Sequence, residues 1–356
     1  MQNKTLIQLV HDALGVLNKR SRVILEKRYG LKTGTFITLE AIGHEYGITR
    51  ERVRQIEAAA LINLKKHRVF DGFQDAIQHT RTRLEEMGGI CKEDVLLAAA
   101  APYFGINDTK KLRSFYPYFY FIMEQSGVKH LPESEEFHPA WYLDNASLER
   151  AKEVVHKFEA SLEEVQRPLA STLVADHILQ FAKKGALPSD AYLKNLILLS
   201  KLFGQNVFGE FGLVSWKEVN PRGARDKAFL VLKRNSKPLH FRHITQLINE
   251  AKFHPKKSHP LTVHNELIKD DRFVLVGRGV YALKEWGYEA GTVRDVLKSL
   301  LKKHGSLQLD SLVKLVHAQR LVKENTILLN LQNRQHFQKM TDGSYLVKGN
   351  NSIKEA

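Results

Sequence analysis

Residues 38–66 read TLEAIGHEYGITRERVRQIEAAALINLKK, and this stretch decides the fold of the amino-terminal part of the chain. It predicts two helices joined by a tight turn. Thr38 can cap the first helix, and Glu40 lies in its first turn, where the helix dipole favours a negative charge. Gly47 supplies a left-handed residue for the turn, and Thr49 can cap the second helix. This order predicts a helix-turn-helix.

The second helix has two unlike faces, because an α-helix turns by about 100° per residue. The apolar side carries Val53, Ile56, Ala60 and Leu64. The opposite arc of the first two turns carries Arg50, Glu51, Arg54 and Gln55. Arginine can bridge guanine O6 and N7, glutamine can bridge the adenine edge, and glutamate can accept from cytosine N4. The polar arc therefore predicts base contacts in the major groove of DNA.

Farther along the helix, the polar arc gives way to Ala58, Leu61 and Ile62, which predicts that the rest of this face packs against the protein. The alternative interpretation is an ordinary amphipathic helix with a charged, solvated face. The agreement of caps, turn glycine and face chemistry favours DNA binding.

LNKRSRVILEKRYGL at 17–31, followed by the 38–66 stretch, resembles region 4 of the sigma-70 family of bacterial initiation factors, and TRERVRQIE at 49–57 is long and specific. The resemblance implies that the second helix reads the promoter −35 element. The matching base-contact positions are Arg50, Glu51, Arg54 and Gln55, with Thr49, Arg52 and Thr38 as candidates for phosphate contact. Ala59 departs from the family, which often has a basic residue there. The family also docks on the flap of RNA polymerase through the first helices of region 4, so promoter-like double-stranded DNA and the RNA polymerase core are the expected partners.

Charge is distributed unevenly along the chain, whose net charge is +15 over 356 residues. Residues 1–70 carry 13 Lys/Arg and 6 Asp/Glu, residues 71–165 carry 10 and 17, and residues 166–356 carry 31 and 16. Basic segments favour phosphate backbones through counterion release. The acidic segment is instead expected to contact protein or to act as a spacer.

Cys91 is the only cysteine, which excludes disulfide staples and thiolate metal clusters. No stretch reaches the roughly 20 apolar residues that span a bilayer, and the first residues lack the pattern of a signal peptide. These features predict a cytoplasmic protein without membrane contact.

The fold class expected for the whole chain is mainly α, with tandem helix-turn-helix or winged-helix modules that carry short β-hairpin wings. FYPYFYF at 115–121 and Trp141-Tyr-Leu143 predict strands on either side of a polar loop at 132–138. The aromatic side chains could alternatively stack on unpaired bases. The predicted modules are a region-4-like unit at 1–70, an acidic divergent winged helix at 73–145, a helical connector at 146–166, a second divergent winged helix at 168–234, winged helices at 237–287 and 290–348, and a disordered tail at 349–356.

The last two modules form an internal repeat. TVHNELIKDDRF at 262–273 and VGRGVYALK at 276–284 align with TILLNLQNRQHF at 326–337 and MTDGSYLVK at 340–348 at a constant offset of 64 residues. Each copy predicts a helix followed by a hairpin whose turn carries a glycine.

The first copy, with PLHFRHITQLI at 238–248, its hairpin and Trp286, resembles the HARE-type helix-turn-helix domain. This winged helix also occurs in the delta subunit of some bacterial RNA polymerases, so the resemblance implies binding to nucleic acid or to polymerase. The candidate contacts are Arg278 at the wing tip and Arg242, Lys256 and Lys257 on or after the helices. Each of them could alternatively be a solvated surface charge.

Motifs for catalysis are not evident. The sequence has no GxxxxGK[ST], and its histidine pairs lack a cysteine or acidic partner at metal-ligand spacing. We therefore expect no enzyme activity, no cofactor, no metal and no small-molecule substrate.

The sequence as a whole predicts a sequence-specific DNA-binding protein of bacterial transcription initiation, either sigma-factor-like or a regulator associated with RNA polymerase. Few residues precede Leu17, and no segment resembles the part of sigma factors that melts the −10 element, which favours an accessory role. One alternative is a delta-like protein that binds polymerase with little DNA readout, as the acidic middle suggests. The other is the recognition component of a restriction-modification system, where HARE-type units also occur.

Overall fold

The computed structural model describes residues 5–185 and 187–348. Within these ranges the chain is mainly helical, with short antiparallel hairpins and small sheets, which confirms the predicted fold class. No helix in the described ranges is both long enough and apolar enough to cross a lipid bilayer. The predicted tail at 349–356 lies outside the described residues.

The amino-terminal module contains four helices. They are α1 (Leu6–Gly15), α2 (Lys19–Arg28), α3 (Leu39–Tyr46) and α4 (Arg50–Lys66). Ile24, Ile42 and Val53 have no exposed surface and join α2, α3 and α4 in one small core. The predicted pair of helices joined by a turn is therefore present as α3 and α4, and it is held in place by α2.

The next segment has the element order of a winged helix. Its elements are α5 (Asp71–Glu86), β1 (Ile90–Lys92), α6 (Glu93–Ala100), α7 (Leu112–Gln125), β2 (Lys129–Leu131) and β3 (Ala140–Tyr142). The three strands form an antiparallel sheet in the order β1-β3-β2. The long loop between β2 and β3 corresponds to the predicted wing, and Trp141 lies in β3 as predicted.

The other aromatic run was predicted wrongly as a strand. FYPYFYF forms the middle of α7, and Pro117 is accommodated inside that helix. The cause is burial on opposite sides. Phe115 and Phe119 point into the core of their own segment, whereas Tyr118 donates a hydrogen bond to the carbonyl oxygen of Leu31 at 2.6 Å. A helix covered on both sides can carry aromatic residues at consecutive positions, and such a run favours a strand by residue type alone.

The α7 helix joins its own segment to the amino-terminal module. The ring of Tyr29 meets Phe121 edge to face with centroids 5.0 Å apart, and Phe36 meets Tyr120 in the same way at 5.1 Å. Buried residues of α1, α2 and α4 belong to the same hydrophobic cluster as α5, α6 and α7. Residues 6–66 and 71–142 therefore share one core.

A second segment with the element order of a winged helix follows immediately. Its elements are α8 (Asn145–Val165), α9 (Ser171–Lys184), α10 (Asp190–Leu199), β4 (Phe203–Gln205) and β5 (Phe211–Leu213), and Leu169 bridges to Phe211 as an isolated short strand. The prediction of a separate connector at 146–166 is wrong. Phe158 of α8 is fully buried, and its ring contacts Phe181 at 5.0 Å and Phe203 at 5.2 Å, so α8 is the first helix of this unit.

The described chain divides into two compact units. One contains residues up to Gly204 together with Phe211–Val214, and the other contains Gln205–Glu210 and the residues from Ser215 onward.

The second compact unit contains two more segments with the element order of a winged helix. The first has α11 (Ala224–Asn235), β6 (Leu239–His240), α12 (Phe241–Glu250), α13 (Pro260–Lys269), β7 (Phe273–Gly277) and β8 (Val280–Leu283). The second has α14 (Val293–His304), α15 (Leu309–Gln319), α16 (Glu324–Leu331), β9 (Phe337–Lys339) and β10 (Tyr345–Val347). The predicted boundary at 234 is wrong, because Ala228, Val231 and Leu232 of α11 lie in the same core as α12, α13 and β8.

The two hairpins of this unit have the same register. Phe273 pairs with Leu283 and Leu275 with Tyr281, and Phe337 pairs with Val347 and Lys339 with Tyr345. Leu239 also pairs with Tyr281, as Leu307 does with Tyr345. The hairpin positions thus correspond at the offset of 64 residues that the sequence predicts.

Candidate nucleic-acid interface

The turn between α3 and α4 is built by local hydrogen bonds. The hydroxyl oxygen of Thr38 accepts from the backbone N–H of Ala41, and that of Thr49 accepts from Arg52, each at 3.2 Å. Gly47 ends α3 with φ of 64°. The predicted caps and turn glycine are therefore confirmed, and both threonine hydroxyls keep a proton that they could donate to a phosphate oxygen.

Close contact between α3 and α4 depends on a second glycine that the sequence reasoning missed. A Cβ atom on Gly43 would lie 2.6 Å from the carbonyl oxygen of Ile48, which is backbone and cannot swing away. Gly43 therefore permits the close approach of the turn to α3. Its position one turn before Gly47 was the available signal.

The four predicted base-contact residues lie together on the outer side of the first half of α4. Arg50, Glu51, Arg54 and Gln55 are all exposed, with exposed fractions of 61% for the Arg54 side chain and 57% for that of Glu51. Since Val53 on the same turns is completely buried, α4 is anchored on one side and free on the other.

These side chains form a network with one another. Arg54 donates to both carboxylate oxygens of Glu51 at 2.8 and 2.7 Å, and Gln55 donates to Glu51 at 3.3 Å. Arg52 in turn donates to Gln55 at 3.1 Å. The hydrogen bond from Arg54 is the main cause that lowers the pKa of Glu51, and the same bond raises the pKa of Arg54. Both groups are therefore charged at neutral pH.

The far end of the same face differs from the prediction. Ala58 and Ile62 are exposed, with 55% of Ile62 accessible, and only Leu61 packs against the main core. The prediction that this face packs is wrong for these two residues. The reason is that the shared core is reached from the side of Ala60 and Leu64, whereas Ala58 and Ile62 lie on the side away from it.

A shallow depression lies beside the turn. It is lined by Gly43, His44, Gly47, Ile48, Thr49 and Arg52. His44 is exposed in the last turn of α3 and was missed, because a single histidine in a helix carries no distinctive sequence signal. Its imidazole, the Thr49 hydroxyl and the Arg52 guanidinium could all donate to an anion at this place.

The four candidates in the first repeat copy do not form one cluster. Arg278 lies in the turn between β7 and β8, which is joined to the start of α12 by a hydrogen bond from Phe241 N–H to the Gly279 carbonyl oxygen at 2.9 Å. Arg242 is in the first turn of α12. Lys256 and Lys257 follow the other end of α12. All four are exposed, but they form two pairs separated by the length of a ten-residue helix, about 15 Å.

The chain resembles known proteins over its first sixth. Residues 13–66 match the family model "Sigma-70, region 4". RNA polymerase principal sigma factor HrdD of Streptomyces coelicolor is 46% identical over 65 residues, which are 18% of this chain and 20% of HrdD. RNA polymerase sigma factor SigA of a Bacillus species is 46% identical over 56 residues, 16% of this chain and 15% of that protein. SigA of Microcystis aeruginosa is 48% identical over 56 residues, 16% and 14% of the two chains.

The matched segment thus spans a fifth or less of the length of these curated relatives, and it coincides with the module that carries α3 and α4. The HARE-type resemblance of residues 237–287 stays a prediction. The helix-turn-helix formed by α3 and α4 agrees with this match, and residues 13–66 resemble a sigma-70 region 4 domain.

Proposed function

We propose that the chain is a sequence-specific DNA-binding protein of bacterial transcription initiation, which reads a −35-like element through α4. The observation that carries this proposal is the joint exposure of Arg50, Glu51, Arg54 and Gln55 on a helix whose opposite side carries the buried residues Val53, Ala60 and Leu64. A rigid helix that presents such side chains from its amino-terminal half suits the major groove. Thr38, Thr49 and Arg52, and additionally His44, would contact the flanking phosphates.

The RNA polymerase core is the protein partner that we propose. The matched relatives are sigma factors of RNA polymerase by name. In this chain, parts of α1 and α2 contribute to the core shared with α7, so docking would use the faces of these helices that remain exposed, such as those around Arg20 and Asp12.

The experiment begins with selection of bound sequences from a random duplex library by the full chain. Arg54→Ala and Gln55→Ala are then compared with the unchanged protein on the selected site and on random duplex. Because a lost bidentate base contact removes discrimination, we expect the ratio of the two affinities to fall about tenfold for each variant.

Lys65→Ala, an exposed cation in the last turn of α4, is the matched control and should leave that ratio unchanged. Equal losses on selected and random DNA for Arg54→Ala and Gln55→Ala would contradict base readout by α4.

A second candidate function is that of a polymerase-binding interaction protein with little DNA readout. One observation favours it. The helix that precedes the hairpin, which we call the third helix of each winged-helix order, is covered in two cases. These are α7, which packs on Tyr29 and Phe36, and α10, whose Asn195 donates to the carbonyl oxygens of Met87 and Ile90 at 3.0 and 2.6 Å. In these two segments, the helix that could enter the DNA groove is therefore covered by other parts of the same protein.

The two functions differ in a simple outcome. Co-purification of the full chain with polymerase after nuclease treatment, together with no measurable affinity for any duplex, would establish the second function. Enrichment of one hexamer in the selection would establish the first. The isolated 1–70 fragment is unsuitable for this test, because it would expose the core that residues 6–66 share with residues 71–142.

A further inference from the structure

A groove in the last segment with the element order of a winged helix carries a set of cations. It lies between the end of α16 and the β9–β10 hairpin, has a volume of about 790 Å³, and is lined chiefly by Gln332, Arg334, Gln338, Lys339, Tyr345 and Lys348. A groove of this size can hold more than one nucleotide-sized group. Sequence reasoning placed the wing contacts only in the first repeat copy and missed this set.

The cations of the groove are available to a ligand. Arg334, Lys339 and Lys348 are exposed, and none of them forms an ion pair with a carboxylate among residues 5–185 and 187–348. The Lys348 ammonium donates to the backbone oxygen of Arg334 at 3.4 Å, and the Lys339 ammonium lies 5.7 Å from the centre of the Tyr345 ring.

A histidine next to the groove lies close to two further cations. His336 follows Arg334, and its pKa lies below the ordinary value, first through desolvation and then through the charges of Lys298 and Arg294 on α14. Lys298 and Arg294 therefore add positive charge beside the groove, with Asp295 as the opposing carboxylate.

The first repeat copy provides an internal comparison, because the hairpin registers correspond at an offset of 64. Phe337, Tyr345 and Lys348 correspond to identical residues, Phe273, Tyr281 and Lys284. The positions of Gln332, Arg334, Gln338 and Lys339 are occupied there by Ile268, Asp270, Val274 and Leu275. The scaffold is retained, while these four positions change from apolar or acidic residues to cationic or amide residues, all four exposed in the second copy.

We propose that this groove binds the phosphodiester backbone of duplex DNA without reading its sequence. Arginine, lysine, glutamine and tyrosine are side chains that donate to phosphate oxygens, and the groove offers all four types. An acidic protein partner fits less well, because protein interfaces need apolar anchors and the corresponding Ile268 and Leu275 are replaced here by Gln332 and Lys339. The choice of duplex DNA as the polyanion rests on the proposed function of the chain.

The test measures how the affinity of the full chain for a random-sequence duplex changes with salt. Arg334→Gln, Lys339→Gln and Lys348→Gln are combined in one variant. Each phosphate contact contributes about 0.9 to the slope of log K against log salt, so the slope should become shallower by about 2 to 3. Preference for the site selected through α4 should remain.

The matched control is Lys302→Gln, Lys303→Gln and Lys314→Gln, which removes the same charge from exposed positions of the same segment outside the groove. A slope change as large as that of the groove variant would show that only total charge matters and would overturn the proposal. An unchanged slope in the groove variant would do the same.

A single substitution keeps the proposal testable if the triple variant unfolds. Lys339→Leu introduces the residue that the first copy tolerates at the same place, and it should make the slope shallower by about 1. A groove that binds single-stranded RNA in preference to duplex DNA would contradict the assignment. Loss of the selected-site preference in Arg54→Ala with no effect of the groove variants would leave the proposed function intact and remove only this inference.

Discussion

At the scale of single residues, the approach of the turn to α3 depends on the missing side chain of Gly43. We expect Gly43→Ala to destabilise the protein by about 1–3 kcal/mol, because the added methyl group meets the backbone oxygen of Ile48 and forces a local shift. The shift would also reorient α4, so affinity for the selected DNA site should fall with the stability. Urea unfolding followed by circular dichroism and a binding titration would measure both effects.

The control for this substitution is Gly15→Ala. Gly15 is also helical, no atom lies within 4 Å of the added Cβ position, and alanine favours a helix by about 0.5–1 kcal/mol. The stability of Gly15→Ala should therefore be equal to or above that of the unchanged protein. A similar loss in both variants would mean that glycine at 43 has no special role.

Residue-level predictions from the sequence succeeded where the physical cause is local. Thr38, Gly47 and Thr49 form caps and a turn with atoms only a few residues away, so the sequence contains the whole cause. The prediction that Ala58 and Ile62 pack was wrong because their exposure depends on where the shared core lies, which no local sequence pattern reveals. The base-contact roles of Arg50, Glu51, Arg54 and Gln55 stay predictions that the α4 variants test.

At the scale of elements, an ion-paired arginine joins α11 to the hairpin that follows α13. Arg272 donates to Asp226 on α11 at 2.8 Å and to Asp270 at 2.7 Å, and both carboxylates are nearly buried. The hydrogen bond from Arg272 is the main cause that lowers the pKa of Asp270. This part of the stability is therefore present above about pH 4, the pKa of an unfolded aspartate, and is lost as the pH falls through the lower folded value.

We expect Arg272→Met to destabilise the protein by about 2 kcal/mol at pH 7, less than for a fully buried pair because Arg272 is partly exposed. The loss should shrink as the pH falls below about 4, because the unfolded chain takes up protons there first and folded Asp270 is protonated only at its lowered pKa. Chemical unfolding at pH 7 and pH 3.5 measures this difference. Lys233→Met, which breaks the exposed pair of Lys233 with Glu218, should cost well under 1 kcal/mol at either pH.

Element types were harder to predict where tertiary contacts override local preference. The aromatic residues of α7 favour strands in isolation, and only the core shared with residues 6–66 explains why they form a helix. The charged sequence of α8 suggested a connector, although its buried stripe includes Ala151, Val155 and Phe158. The hairpins of the repeat were predicted well, because two copies at a fixed offset gave independent support for the same pattern.

At the scale of the whole molecule, the division near residue 214 defines where the chain can be cut. A deletion that begins at 237 would leave α11 without the core that it shares with α12 and α13, so the informative fragment is 1–214. We expect this fragment to keep its preference for the selected site, because α4 and its supporting core are intact. Its binding should depend less on salt, because the strongly basic carboxyl-terminal part is absent.

Parallel salt titrations of the full chain and of the 1–214 fragment on the same duplex measure this difference. Identical slopes would show that residues beyond 214 do not touch DNA, and they would favour protein contacts for those modules. Loss of site preference in a folded fragment would instead place part of the base readout beyond residue 214.

Because α7 and α10 pack against other parts of the protein, they are not available to read DNA, and this limits the length of sequence that the molecule can recognise. One helix in the major groove specifies only about four base pairs. A sequence of that length recurs roughly once in 256 positions, and a genome offers about 10⁶ or more positions. Under the proposed function, α4 by itself would match thousands of DNA sites. Occupancy of a particular promoter would then depend on a second protein bound at the same promoter. The chain would supply only part of the sequence specificity of that complex.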